Sequence, residues 1–109
     1  MTWNVLYLPE AAKDVAELSR PQQIIVKKAI TKVKENPLPQ SEGGYGKPLG
    51  NKRGMNLANL LKIKLRGEGI RIVYKLMRMD QQMYIIVVGI RDDEEVYKTA
   101  YHRRVKHDL

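Results

Sequence analysis

Lys62, Lys64 and Arg66 alternate with Ile63 and Leu65, and Arg71 follows beyond a Gly67-Glu68-Gly69 turn. A period of two marks a strand, and strand–turn–strand reads as a hairpin. The three cations then share one face of the first strand, and Ile63 and Leu65 take the other. A packed sheet has no structural need for such a row, because like charges facing each other across strands destabilise it. The chemistry the row offers is the holding of a polyanion.

The charge of the whole chain points the same way. The 109 residues carry a formal net charge of +8. Lys47 through Arg78 contains nine Lys or Arg and one acid, Glu68. A surface built only for solubility mixes signs more evenly. Nucleic acid, an acidic protein or an anionic surface is the implied partner class. There is no cysteine, which excludes disulfides, thiol nucleophiles and Cys-ligated metal. Only His102 and His107 are present, so no metal site is expected. The N-terminus lacks the basic region of a signal peptide, and no apolar run approaches membrane-spanning length. The expectation is a cytoplasmic protein with no membrane association.

These cations need elements to position them. Trp3 to Leu8 reads as a first strand, and Pro9-Glu10 opens a short helix with Ala11, Val15 and Leu18 as its apolar stripe. Ser19-Arg20-Pro21-Gln22 has the form of a capping box. It starts a second helix that runs to about Glu35 and ends at Asn36-Pro37. Residues 37–57 form a long basic loop rich in Gly and Pro. The hairpin follows, and then Met83 to Ile90, an almost unbroken aliphatic run suited to a central strand. Asp92 and Asp93 are candidate caps for a last helix over about 94–106. With 43% hydrophobic residues there is enough for one modest core. The predicted fold class is α+β, ordered β-α-α-β-β-β-α: one small, mainly antiparallel sheet packed against helices, a single domain over 1–109.

The element order, the Lys62-Ile-Lys-Leu-Arg66 strand, the Ile70-Arg-Ile-Val-Tyr74 strand and the Gly89-Ile-Arg-Asp-Asp-Glu-Glu-Val-Tyr97 ending together resemble the RelE toxins of the RelE/ParE superfamily. The resemblance covers nearly the whole chain. It implies the RelE/ParE-like fold and a ribosome-dependent endoribonuclease that cuts messenger RNA in the ribosomal A site and arrests translation. It further implies a toxin that works as a monomer, without a cofactor, and is neutralised by a cognate antitoxin. The family's two strand lysines resemble Lys62 and Lys64. Its arginine on the following strand resembles Arg71, the one after the last core strand resembles Arg91, and its tyrosine resembles Tyr97. Three features depart from the family: a longer loop before the hairpin, a tail extended to His107-Asp108-Leu109, and acids at Asp92-Asp93 where members often carry more positive charge.

RNA cleaves itself when a ribose 2′-OH attacks the adjacent phosphate, and no metal is required. An enzyme must accept the hydroxyl proton, stabilise the phosphoryl oxygens and protonate the 5′-oxygen. A lysine crowded by cations is a credible base, because neighbouring positive charge favours its neutral form. Lys64 is the favoured base, with Lys62 in support; Arg71 and Arg91 clamp the phosphate, and Tyr97 stacks on a base or orients the 2′-OH. Lys47, Lys52, Arg53, Arg66, Lys75, Arg78, Arg103, Arg104 and Lys106 suit contacts to the backbone of messenger and ribosomal RNA. Two other readings stay open: a ParE-like inhibitor of DNA gyrase without a nuclease centre, and a basic module that binds RNA or an antitoxin with little or no cleavage.

Overall fold

The computed structural model describes residues 2–50, 54–90 and 92–109. Alternation builds the sheet. Strand β1 (Asn4–Tyr7) is followed by helices α1 (Pro9–Ala16) and α2 (Arg20–Val33), then strands β2 (Lys47–Pro48), β3 (Leu60–Leu65), β4 (Ile70–Met77) and β5 (Gln82–Gly89), and helix α3 (Asp93–Lys106). The strand order is β1-β5-β4-β3-β2. β1 lies parallel to β5, and all other pairs are antiparallel. The sheet is therefore mixed, and the basic loop contributes a two-residue strand that period-two reading did not find. So short a run has no hydrophobic alternation to detect.

Helix starts follow local chemistry. Ser19 Oγ accepts from the Gln22 amide at 3.3 Å, and the Gln22 side chain accepts from the Ser19 amide at 3.0 Å, which completes the capping box. Asp92 caps α3 by accepting from the Glu95 amide at 2.9 Å. Among the described residues no helix is long and apolar enough to cross a membrane.

Register assigns the faces. Lys62 lies opposite Val73 and Lys64 opposite Arg71, so these side chains share one face, which α3 covers. The other face carries Leu61, Ile63, Ile70, Ile72 and Tyr74 and is covered by α2 and the loop after it. Tyr74 is fully buried there, and its hydroxyl donates to the Pro37 carbonyl at 2.7 Å. Met83, Ile85, Ile86, Val87 and Val88 of β5 are all buried, as expected for a central strand with both faces covered.

β5 is longer than its outer neighbour. β1 pairs with residues 82–85, and the Leu8 amide donates to the Ile85 carbonyl. Beyond that point side chains take over the edge. Asp14 of α1 accepts from the Val88 amide at 3.1 Å, and Arg103 of α3 donates to the Ile86 carbonyl at 3.0 Å. Arg103 and Asp14 also form a bidentate pair at 2.6 and 3.1 Å, each side chain only 17% exposed. Arg103→Met leaves a mostly buried carboxylate and a carbonyl without this partner. It is expected to cost about 2–3 kcal/mol of stability in urea denaturation. A loss under about 0.5 kcal/mol would contradict the brace.

A second tie joins the same helices. Glu10 accepts from Lys106 at 2.9 Å and lies 2.9 Å from His107 Nε2. His107 first, then Lys106, lowers the Glu10 carboxyl from 4.5 to about 2. The folded state thus releases this proton more readily than the unfolded chain. Its stabilisation is complete above about pH 4.5 and is lost as pH falls toward about 2. Thermal midpoints measured over that range should fall more steeply in the parent than in Glu10→Gln.

Candidate functional site

Two spacings match where α3 crosses β3. A two-residue step along a strand is about 6.8 Å, and a four-residue step along a helix is about 6 Å. Tyr97 and Asp93, four apart on one helix face, therefore meet Lys62 and Lys64, two apart on one strand face. Lys62 Nζ donates to the Tyr97 hydroxyl at 2.6 Å, and Lys64 Nζ donates to Asp93 Oδ2 at 3.0 Å. The pairing runs 62 with 97 and 64 with 93, so helix and strand are antiparallel.

Arg71 completes the cluster from the next strand. Its Nε donates to Asp93 Oδ1 at 2.5 Å, and its Nη1 donates to the Gly69 carbonyl at 2.8 Å. Gly69 closes the hairpin turn at φ 67°, a left-handed conformation that glycine adopts without penalty. Across from Arg71 on β5 is Gly89, where a Cβ would come within 3.0 Å of the Val96 side chain. The bare backbone at Gly89 lets the first turns of α3 settle close to the sheet, which brings Asp93 within reach of both cations.

Tyr97 has two roles that the geometry separates. Its ring is packed in the core at 7% exposure, beside Val96 and Ala100 of the same cluster. Its hydroxyl meets Lys62, whose Nζ is 5.2 Å from the ring centroid. The lysine approaches from the hydroxyl end rather than over the ring face.

Asp93 is the residue whose part in this site the sequence reading missed. Hydrogen bonds from Lys64 and then Arg71 hold its carboxyl below the ordinary value, against the opposing effect of burial. The available signal was the four-residue spacing to Tyr97. The Asp93 carboxylate lies 3.0 Å from Lys64 Nζ, so cations are not the whole environment of that lysine.

The structure brings together Lys62, Lys64, Arg71 and Tyr97. Arg91, Lys52 and Arg53 lie outside the described residues. Arg66 and Lys47 are exposed, and Lys47 is opposite Lys62 across β2 and β3. The other cations expected at RNA have partners within the chain. Arg78 pairs with Glu42 at 2.7 and 3.0 Å, Lys106 with Glu10, and Arg103 with Asp14. Arg104 donates to the carbonyls of Asn56, Ala58 and Leu109. Lys75 donates to the Leu109 carbonyl, and burial, with Arg104 nearby, lowers its pKa.

Two hollows flank the cluster. One of about 320 Å³ lies between α2 and β3, with Ala29, Val33, Ile63 and Leu65 among its walls and Lys47 and Arg66 contributing charge. Another, of about 480 Å³, lies between α1 and α3 and includes Asp14, Glu17 and Glu95, a lining less suited to a polyanion.

No protein-family model matches the chain. The mRNA interferase toxin RelE of Escherichia coli (strain K12) is 30% identical over 93 residues, which span 85% of this chain and 87% of that protein. The structure of a mutant E. coli RelE toxin in the free state matches over the full length of both chains, with a TM-score of 0.71 and 28% identity. The toxin–antitoxin complex RelBE of E. coli contains a chain that matches with a TM-score of 0.64 and 26% identity, covering 83% of this chain and 98% of that one. Sequence and fold agree over most of the molecule, and the chain belongs to the RelE toxins of the RelE/ParE superfamily.

Proposed function

We propose that this protein is a ribosome-dependent endoribonuclease that cuts messenger RNA in the A site and arrests translation. The observation that carries the reading is the convergence of Lys62, Lys64, Arg71 and Tyr97 on one sheet face beneath the first turns of α3. Rows of cations on a strand are common on RNA-binding surfaces; a row joined by a core-anchored tyrosine hydroxyl is suited to chemistry. The E. coli relative is an mRNA interferase, and the toxin in the RelBE structure is bound to its antitoxin. By that likeness this chain acts on messenger RNA in the cytoplasm and has a cognate antitoxin as partner.

In the proposed reaction the ribose 2′-OH gives its proton to Lys64, and the 2′-oxygen bonds to phosphorus. The bond from phosphorus to the 5′-oxygen breaks, which leaves a 2′,3′-cyclic phosphate and a 5′-hydroxyl. Arg71 holds the phosphoryl oxygens, where rigid guanidinium donors match the developing charge. Arg91 is assigned to the leaving 5′-oxygen, to which it gives the proton that completes the hydroxyl. Lys62 supports the phosphate and fixes the Tyr97 hydroxyl, which orients the attacking ribose. Arg66 and Lys47 supply contacts to the RNA backbone.

The test is translation of a defined messenger on purified ribosomes, with fragment ends mapped. The parent should cut only on ribosomes. Lys64→Ala and Arg91→Ala should each lose roughly 100- to 1,000-fold in rate. Equal cleavage of naked RNA would remove the ribosome from the mechanism. Intact messenger together with inhibited gyrase supercoiling would move the protein to the ParE branch.

Tyr97 variants separate packing from chemistry. Tyr97→Phe keeps the buried ring and should cost about 1 kcal/mol or less of stability, yet slow cleavage at least tenfold. Tyr97→Ala should cost about 3–5 kcal/mol by chemical denaturation. If Tyr97→Phe cleaves at the parent rate, the hydroxyl has no part in the reaction.

A further inference from the structure

We propose that Asp93 is an internal stand-in for the substrate phosphate: its carboxylate fills the anion position between Lys64 and Arg71, and RNA must displace it to bind. The inference rests on the nuclease reading above and adds to it a residue that sets how readily RNA is accepted.

Carboxylates and phosphates draw on the same donors, an ammonium and the guanidinium N–H groups. Asp93 spans those donors with separate oxygens, Oδ2 to Lys64 at 3.0 Å and Oδ1 to Arg71 at 2.5 Å. A phosphoryl group held by the same two residues needs the space that this carboxylate occupies. The acid therefore competes with RNA at the point where the proposed reaction requires a phosphate.

Three further features make the carboxylate displaceable. It is 39% exposed, so water can solvate it once released. It does not cap the helix: Asp92 does, through the Glu95 amide. Releasing Asp93 therefore leaves the start of α3 intact. Its side chain also bridges two separate strands, so an incoming anion can take one cation before the other.

The test uses a short fluorescent RNA with one 2′-deoxyribose at the position of attack, which binds but cannot be cleaved. Asp93→Asn should bind it roughly tenfold more tightly than the parent at low salt. Glu94→Gln changes the net charge equally on the next residue and should gain twofold or less. In a Lys64→Ala background the gain from Asp93→Asn should shrink markedly, because the two residues act through one contact. A purely structural Asp93 predicts the opposite pattern, with stability and binding both falling. Asp93→Ser, which keeps a residue at home near a helix N-terminus, must show the same gain and covers the case in which the Asn variant does not fold. Equal or weaker binding by folded Asp93 variants, or the same gain from Glu94→Gln, overturns the proposal. Ribosome assays run alongside keep the two readings apart. Tighter binding with no cleavage by any variant supports the displaced carboxylate and defeats the nuclease; cleavage by the parent without a binding gain does the reverse.

Discussion

The molecule depends on how it closes the open edge of β5. That strand is the hydrophobic centre of the sheet, and β1 is too short to pair with its second half. Backbone groups left there without partners would cost free energy in proportion to their burial. Instead Asp14 and Arg103 act as a side-chain replacement for strand pairing, one taking the Val88 amide and the other the Ile86 carbonyl. Their mutual ion pair is compensated by these backbone bonds, which is the condition under which a poorly solvated pair is tolerated. The consequence reaches the site. Arg103 fixes the last turns of α3 at β5, and Val96 seated over Gly89 fixes the first turns, so the line of the helix across β4 and β3 is set at two points.

That line answers an electrostatic problem. Lys64 and Arg71 face each other across β3 and β4, an arrangement that is unfavourable by itself. The N-terminal turn of α3 lies beside them and carries the positive end of the helix dipole. Left uncompensated, the approach would be repulsive on both counts. Asp92, Asp93, Glu94 and Glu95 reverse its sign, and Asp93 makes the direct contact. At the other end Arg103, Arg104 and Lys106 complement the negative end of the dipole. The charge pattern of α3 thus follows from what each end of the helix faces. Asp93 is the element that closes the cluster against Lys64 and Arg71, and Asp92 caps the helix that carries it.

Local signals made much of this legible. Alternation gave the faces of β3, the Ser19 box and the Asp92 cap gave helix starts, and the aliphatic run from Met83 gave a central strand. Parity alone placed Lys62 and Lys64 side by side. What stayed hidden was set by distant partners. Asp14 and Arg103 are 89 residues apart, and neither sequence neighbourhood carries a sign of the other. Arg103 looked like one more cation of a basic tail; burial against β5 distinguishes it. β2 was hidden for a different reason, since its two residues pair only because β3 presents an edge to them. The role of Asp93 needed the crossing of α3 over β3, a tertiary fact, although the i,i+4 relation to Tyr97 was already in the sequence.

Net charge was informative about class and less so about place. A formal excess of +8 predicts attraction to a polyanion, yet several of the cations counted in it are occupied within the fold. Arg78 holds Glu42, Lys106 holds Glu10, and Arg104 is used on backbone carbonyls. These bonds join the loop after α2 to the end of β4, and α3 to α1 and to the segment before β3. They stabilise the frame around the site, and any RNA contact they make has to be shared with that task or taken from it. Lys62 and Lys64 are subject to the same tension in its sharpest form. A folded, RNA-free protein needs their charge neutralised or hydrogen-bonded, whereas a phosphate site needs it available. Tyr97 meets the first need at Lys62 with a hydroxyl, and Asp93 meets it at Lys64 with a carboxylate. The two lysines of one strand thus receive different partners from one face of one helix, and this asymmetry, rather than the number of positive charges, distinguishes their settings.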